Sequence, residues 1–271
     1  MRRRLDTELV RRGLVESRAR AQQAIGAGRV LVSGALADRP SRLVDTGEPI
    51  HLAGPPPRFV SRGGDKLDAA LERFGVDVGG RRALDAGSST GGFTDCLLQR
   101  GAAQVVAVDV GHGQLAWPLR TDPRVVVLEG TNVRTLTAED IGGPVDVAVA
   151  DLSFISLRLV APALAGVLTA ATAEAVLLIK PQFEASRKEV GRGGIVSDPA
   201  VHRRVLDTVA TALAAEGLGI VGVMASPLRG ASGNVEFLGH FRPLGPGEVP
   251  APDGFDPDRF EAAVAEGHAL C

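Results

Sequence analysis

Apolar positions in the first thirty residues recur at helical spacing. Leu5, Leu9 and Val10 share one face, and Gly13 stops that helix. Ser17 can cap a second helix, whose apolar face carries Ala21 and Ile25 before Gly28 ends it. Residues 29–35 (RVLVSGA) then read as a strand entering a turn at Ser33 and Gly34. A proline run at residues 54–57 (GPPP) breaks the pattern and predicts a domain boundary near residues 54–60.

From residue 64 the period changes, and short apolar strands alternate with helices. Strands are predicted at 82–86, 104–109, 125–129, 145–151, 175–180, 219–225 and 235–241. Strands that are apolar throughout belong to a sheet covered on both faces. Their alternation with helices predicts a doubly wound α/β domain, its last two strands forming an antiparallel edge pair. Residues 181–198 read as a long glycine-rich loop of the kind that serves as a lid. The expected organisation is a module at 1–54, a linker at 55–63, the α/β domain at 64–243 and an acidic tail at 244–271 that contains proline and glycine and a short helix near 257–267.

Charge sharpens this division. Residues 1–58 hold eleven arginines against six carboxylates, a net of +5, whereas the whole chain carries −2. The chain is therefore no generic polycation, and its basic amino-terminal module fits either the electrostatic footprint of nucleic-acid binding or a solvated, arginine-rich surface. Two cysteines, Cys96 and Cys271, cannot make a zinc cluster or a disulfide framework, so no metal is expected and a reducing cytosol fits. The arginines after Met1 are followed directly by Leu5-Asp6-Thr7-Glu8, which is no signal-peptide core. No run approaches the ~18 apolar residues of a membrane span. A soluble, cytoplasmic protein is expected, with no stable membrane insertion. Only three of the 30 basic residues are lysines: Lys66, Lys180 and Lys188. A lysine kept in such a chain can do what arginine cannot, such as titrate near neutral pH.

The segment from Leu84 to Thr94 (LDAGSSTGGFT) sits where the first α/β strand meets its helix. Glycines there let a ligand approach the backbone, and the helix start adds donors. A phosphate-binding P-loop needs a lysine where Phe93 stands, and a dinucleotide fingerprint needs glycine where Ser89 stands. What remains suits S-adenosylmethionine, with Asp85, Gly87, Ser88, Ser89, Thr90, Gly91, Gly92 and Phe93 as the cradle. Asp109, ending the second strand, is placed to bind the hydroxyls of an adenosyl ribose.

Asp151 and Lys180 end the fourth and fifth strands, so they face one crevice beside that cradle. Glu236 begins the last strand, and Lys66 lies on the helix before the first. Methylation of a ribose hydroxyl needs that oxygen in line and losing its proton. Lys180 is the candidate base, activated by the like charge of Lys66, with Asp151 and Glu236 orienting and balancing charge. The five histidines show no ligand spacing.

Four blocks carry a resemblance: residues 59–67 (FVSRGGDKL), 84–93 (LDAGSSTGGF), 150–156 (ADLSFIS) and 179–184 (IKPQFE), joined by 234–237 (NVEF). Together they resemble the TlyA or haemolysin A family of bacterial ribosomal RNA cytidine 2′-O-methyltransferases, over residues 3–242. The resemblance implies a small S4 RNA-binding α+β domain ahead of an FtsJ-like, Rossmann-like methyltransferase domain with a mostly parallel seven-stranded sheet. It matches Lys66, Asp151, Lys180 and Glu236 to the family's catalytic tetrad. It also implies ribosomal RNA and ribosomal subunits as partners, docked through Arg3, Arg4, Arg12, Arg18 and Arg20. Ser33 stands where S4 strands often carry Asn. Three rivals remain: a non-catalytic ribosome-assembly factor, a base methyltransferase and a membrane-active haemolysin. A base methyltransferase would favour an Asn/Asp-Pro-Pro-aromatic motif, where this chain has Asp151-Leu-Ser-Phe154. A pore-former needs a spanning helix or barrel.

Overall fold

Valine-rich runs and the glycines that end them set most of the strands and helices of the structure, a computed structural model. It describes residues 2–15, 17–54, 57–168, 170–245, 256 and 258–270. The expected proline break at Pro55 and Pro56, the tail between residues 246 and 255, and Cys271 lie outside the described residues. The chain divides into two units, Met1–Pro57 and Arg58–Cys271.

The first unit runs β1 (Arg2–Arg4), α1 (Leu5–Arg11), α2 (Arg18–Gly26), β2 (Val30–Val32), β3 (Ala35–Leu36), β4 (Leu43–Asp45) and β5 (Ile50–Leu52). Ser17 caps α2, its hydroxyl accepting from the Arg20 amide at 3.2 Å. Ser33 (φ 53°) and Gly34 (φ 82°) turn β2 into antiparallel β3, because a two-residue hairpin wants left-handed backbone at both positions. Leu5, Leu9, Ala21, Ile25, Val30 and Val44 form the core of this unit.

The second unit runs α3 (Arg62–Phe74), β6 (Arg82–Ala86), α4 (Gly92–Gln99), β7 (Gln104–Asp109), α5 (Trp117–Arg120), β8 (Val125–Glu129), β9 (Val147–Ala150), α6 (Ala161–Val167), β10 (Glu174–Ile179), α7 (Pro181–Glu184), α8 (Pro199–Ala215), β11 (Leu218–Ala225), β12 (Phe237–Pro243) and α9 (Asp258–Ala269). The sheet order is β8-β7-β6-β9-β10-β12-β11, parallel except for β12, which is antiparallel to both neighbours. The last two strands do pair, but only β11 is an edge. Phe237, Leu238 and Phe241 are wholly buried, so β12 slots between β10 and β11.

Two further segments differ from the sequence reading. Helix α9 buries Phe260, Ala263 and Val264 in the main core, so this part of the tail belongs to the α/β unit. The 181–198 segment is anchored rather than free along its length. The buried Asn234 side chain accepts from the Val196 amide and donates to the Gly194 carbonyl, each at 2.9 Å.

Candidate active site

Strand register gathers the chemistry at one edge of the sheet. Ala86 lies opposite Ala150 in the β6–β9 pair, so Gly87 comes beside Asp151, whose amide donates to the Ala86 carbonyl at 3.1 Å. Ile179 lies opposite Phe237 in the β10–β12 pair, and one step further along that register stand Lys180 and Glu236. Helix α3 brings Lys66 to the same place. Its start presses so close to α4 that a Cβ on Gly92 would overlap the Ser61 hydroxyl, and one on Gly64 would overlap the Phe59 ring.

The four residues form two ion pairs. Lys66 Nζ bonds Glu236 Oε2, with both side chains buried. Lys180 Nζ lies 2.5 Å from Asp151 Oδ1 and donates to Ser153 Oγ at 3.1 Å. Gly230 leaves room for Glu236, since a Cβ there would strike its carboxylate. Two lysines and two carboxylates are therefore matched at the strand ends, the Lys66–Glu236 pair buried and the Lys180–Asp151 pair partly open to solvent, and each lysine nitrogen is aimed by a fixed oxygen.

The glycine loop between β6 and α4 is backed against the same corner. Gly87 (φ 85°), Ser89 (φ 47°) and Gly91 (φ 95°) are left-handed, and a Cβ on Gly87 would lie 2.9 Å from the Asp151 carbonyl oxygen. Asp109 braces this loop, accepting from the Ser89 amide at 2.8 Å and the Gly111 amide at 2.7 Å. Each of its oxygens keeps a further lone pair for a hydroxyl. Ser89 and Thr90 are exposed, whereas Ser88, Gly92 and Phe93 are buried, with Phe93 packed beside Gly63 of α3.

Asp85 is fully buried. Its Oδ2 accepts from Thr94 Oγ1 at 2.6 Å, but its Oδ1 is buried without a partner. Burial pushes its carboxyl up to about 7, against the pull of the Thr94 bonds. An orphaned carboxylate oxygen behind a left-handed glycine loop suits a ligand that carries its own cation, as the amino-acid end of S-adenosylmethionine does. The proposed residues fit that group. Among the described residues no cluster of His, Cys, Asp or Glu could hold a metal ion.

Sequence reasoning missed three features. Phe154, beside Ser153, is 91 % exposed and held at φ 65°, a costly conformation for a bulky residue, with its ring tilted over Phe183 at 5.3 Å. The Glu184 side chain is almost wholly buried, under Arg158. Asp6 and Glu8 of α1 count as surface acids in a charge tally, yet both are fully buried beneath arginines. Asp6 accepts from Arg4 at 2.9 Å and Arg18 at 3.1 Å, and Glu8 from Arg11 at 2.6 Å and Arg12 at 2.8 Å. Hydrogen bonds from Arg4, then Arg18, hold the Asp6 carboxyl far below the carboxylate range, and Arg11 with Arg12 holds Glu8 down to about 2.

Among the expected RNA-contacting residues, Arg4 and Arg18 are exposed and pre-oriented by Asp6. Arg3 and Arg20 are half-buried, the latter bonded to Gln23. Arg12 spends its donors on Glu8 and on the carbonyls of Asp45, Thr46 and Glu48.

A seven-stranded sheet with one antiparallel strand, a glycine cradle and a Lys–Asp–Lys–Glu corner define a Rossmann-like methyltransferase. The chain belongs to the FtsJ-like methyltransferase family, whose model matches residues 59–242, with an S4 domain matched at residues 3–50. It is 55 % identical over 236 residues to the 16S/23S rRNA (cytidine-2′-O)-methyltransferase TlyA of Mycobacterium tuberculosis, covering 87 % of this chain and 88 % of that one. It is 40 % identical to Hemolysin A of Brachyspira hyodysenteriae, over 88 % of this chain and 99 % of that one. A solved structure from Streptococcus thermophilus that carries a hemolysin name superposes with a TM-score of 0.79 at 40 % identity, over 99 % of this chain and 96 % of that one.

Proposed function

We propose that this chain transfers a methyl group from S-adenosylmethionine to the ribose 2′-hydroxyl of cytidine in small- or large-subunit ribosomal RNA, or both. The observation that carries the proposal is the pairing of Lys180 with Asp151 beside Gly87, next in register to the Lys66–Glu236 pair. The similarity to the M. tuberculosis enzyme supports the substrate.

S-adenosylmethionine, when bound, supplies an electrophilic methyl on its sulfonium. Asp85, Gly87, Ser88, Ser89, Thr90, Gly91, Gly92 and Phe93 form its cradle, and Asp109 receives the adenosyl ribose. Lys180, once its ammonium has released a proton to solvent, takes the proton of the 2′-hydroxyl as that oxygen attacks, its amine aimed by Asp151 and Ser153. Glu236, next in register to Lys180, holds Lys66 in place. Phe154 offers a stacking face for a base turned out of its helix.

Arg3, Arg4, Arg18 and Arg20 of the S4 unit contact phosphates, which gives affinity rather than sequence choice, whereas Arg12 is committed to Glu8 and to the carbonyls of Asp45, Thr46 and Glu48. A ribosomal RNA substrate places the work in the cytoplasm. Among the described residues no helix is long and apolar enough to cross a membrane.

The test is Lys180→Ala. Methylation of ribosomal RNA is lost while S-adenosylmethionine binding by calorimetry is kept. Undiminished turnover in that variant removes Lys180 from the chemistry.

A further inference from the structure

Glu184 closes the short helix α7 that Lys180 begins, and its side chain is 3 % exposed. One carboxylate oxygen accepts from Ser156 Oγ at 2.5 Å and the other from the Leu157 amide at 2.6 Å. The Arg158 guanidinium closes over the first at 3.3 Å. Burial pushes this carboxyl up while those three donors pull it back. Ser156 and Leu157 lie on the loop that leaves β9 through Asp151.

The loop after β9 and the turn after β10 are thus joined at both ends. Lys180 meets Asp151 and Ser153 at one end, and Glu184 meets Ser156 and Leu157 at the other. The Phe154 and Phe183 rings pack between the two ties. Neither segment is stiff alone. Helix α7 is a single turn of four residues, too short to hold itself by its own hydrogen bonds. A lysine side chain is flexible, so the Lys180 contacts alone hold the segments beyond the paired strand ends only loosely. A carboxylate with two oxygens, bridging a hydroxyl and an amide, removes that freedom.

We propose that Glu184 is a positioning residue: by clamping the loop after β9 to the turn after β10, it fixes the direction and separation of Lys180 and Asp151. The proposal rests on the role given to Lys180 above.

The three lysines of the chain give a direct readout. With lysine ¹³C-labelled at Cε, Glu184→Ala shifts or broadens the Lys180 signal and leaves the Lys66 signal in place. Glu184→Gln, which keeps an acceptor for the Leu157 amide, gives a smaller change. In turnover assays on ribosomal RNA, Glu184→Ala lowers kcat on the order of ten- to a hundred-fold, the scale of a misplaced reacting group, with an unchanged KM for S-adenosylmethionine. Glu184→Gln partly rescues kcat. Ser156→Ala acts in the same direction, and the double variant is no worse than the larger single loss.

A Lys180 signal that stays put in folded Glu184→Ala protein overturns the proposal. So does a Lys66 signal or a cofactor KM that moves in step with it, which would mark general loosening. The lysine signals are read without RNA. A wild-type protein that methylates no ribose would therefore refute the function proposed above, while the clamp stands or falls on the spectra.

Discussion

Lys180 Nζ and Asp151 Oδ1 meet at 2.5 Å, although each stands just past the end of a different strand. The parallel register of β9 and β10 makes that meeting possible, with Ala150 opposite Leu177. Side chains from the two strand ends therefore reach into one crevice. The pair is aimed, charged and next to the glycine loop, and several predictions rest on it.

Lys180→Arg separates a base from a fixed cation. Arginine keeps the charge and can still pair with Asp151, but it does not give up its proton. The variant is expected to bind cofactor and RNA normally and to lose turnover on the order of a hundred-fold or more. Single-turnover methylation checks this. Turnover within a few-fold of wild type would mean that Lys180 only orients the substrate.

Asp85 predicts a pH signature in cofactor binding. Burial raises its carboxyl to about 7, so in the ligand-free protein it is protonated over much of the range where an unfolded aspartate is ionised. The folded state binds the extra proton, so ligand-free stability declines as pH rises from about 4 towards 7 and levels off above that. Asp85→Asn flattens this decline in thermal melts. It also weakens S-adenosylmethionine binding, more at about pH 8 than at about pH 6, because only the ionised carboxylate attracts the ligand's ammonium. Calorimetry at the two pH values measures the difference, and an equal loss at both would separate Asp85 from that ammonium.

Gly64→Ala tests how Lys66 is delivered. The added methyl overlaps the Phe59 side chain, and both sites are buried. Overpacking of this kind costs about 1–3 kcal/mol, visible in urea unfolding. Because α3 leans on the start of α4, methylation is expected to fall further than stability alone explains. A variant that melts lower but turns over normally would show that Lys66 tolerates the shift.

The S4 unit offers a charge test. Asp6 is buried and holds Arg4 and Arg18, so Asp6→Asn removes the clamp without adding bulk. The loss is about 1–2 kcal/mol, discounted because both arginines are half exposed to water. Asp6 and Glu8 have lowered folded values, so their stabilisation is present above about pH 4 and lost as pH falls below it. Hydrogen exchange across α1 and α2 follows this, and the acid loss shrinks in Asp6→Asn. RNA affinity drops in Asp6→Asn with the salt slope kept, whereas Arg18→Ala lowers the slope by about one. An unchanged slope in Arg18→Ala would remove that residue from phosphate contact.

Much of this was legible in the sequence, and the reason is local. Runs such as Val105–Val108 and Ala175–Ile179 are apolar at every position, and a charged residue followed closely by glycine or proline ends them, so the seven strands announce themselves. Lys180 and Asp151 could be placed because strand ends are visible in the same runs. The place of β12 between β10 and β11 is a non-local fact that no window of residues contains. The two- and three-residue strands β3, β4 and β5 are too short to show an alternation. Burial of Asp6, Glu8 and Glu184 was hidden for a related reason. An acid reads as surface unless its partners are known, and those of Glu184 come from another loop.

Ribose methylation mapped across ribosomal RNA tests the central claim most directly. Small and large subunits from cells lacking the protein are incubated with purified protein and labelled S-adenosylmethionine. Label is expected on the 2′-oxygen of cytidine, present with wild type and absent with Lys180→Ala. Label on a base, or no label on either subunit with cofactor demonstrably bound, would contradict it.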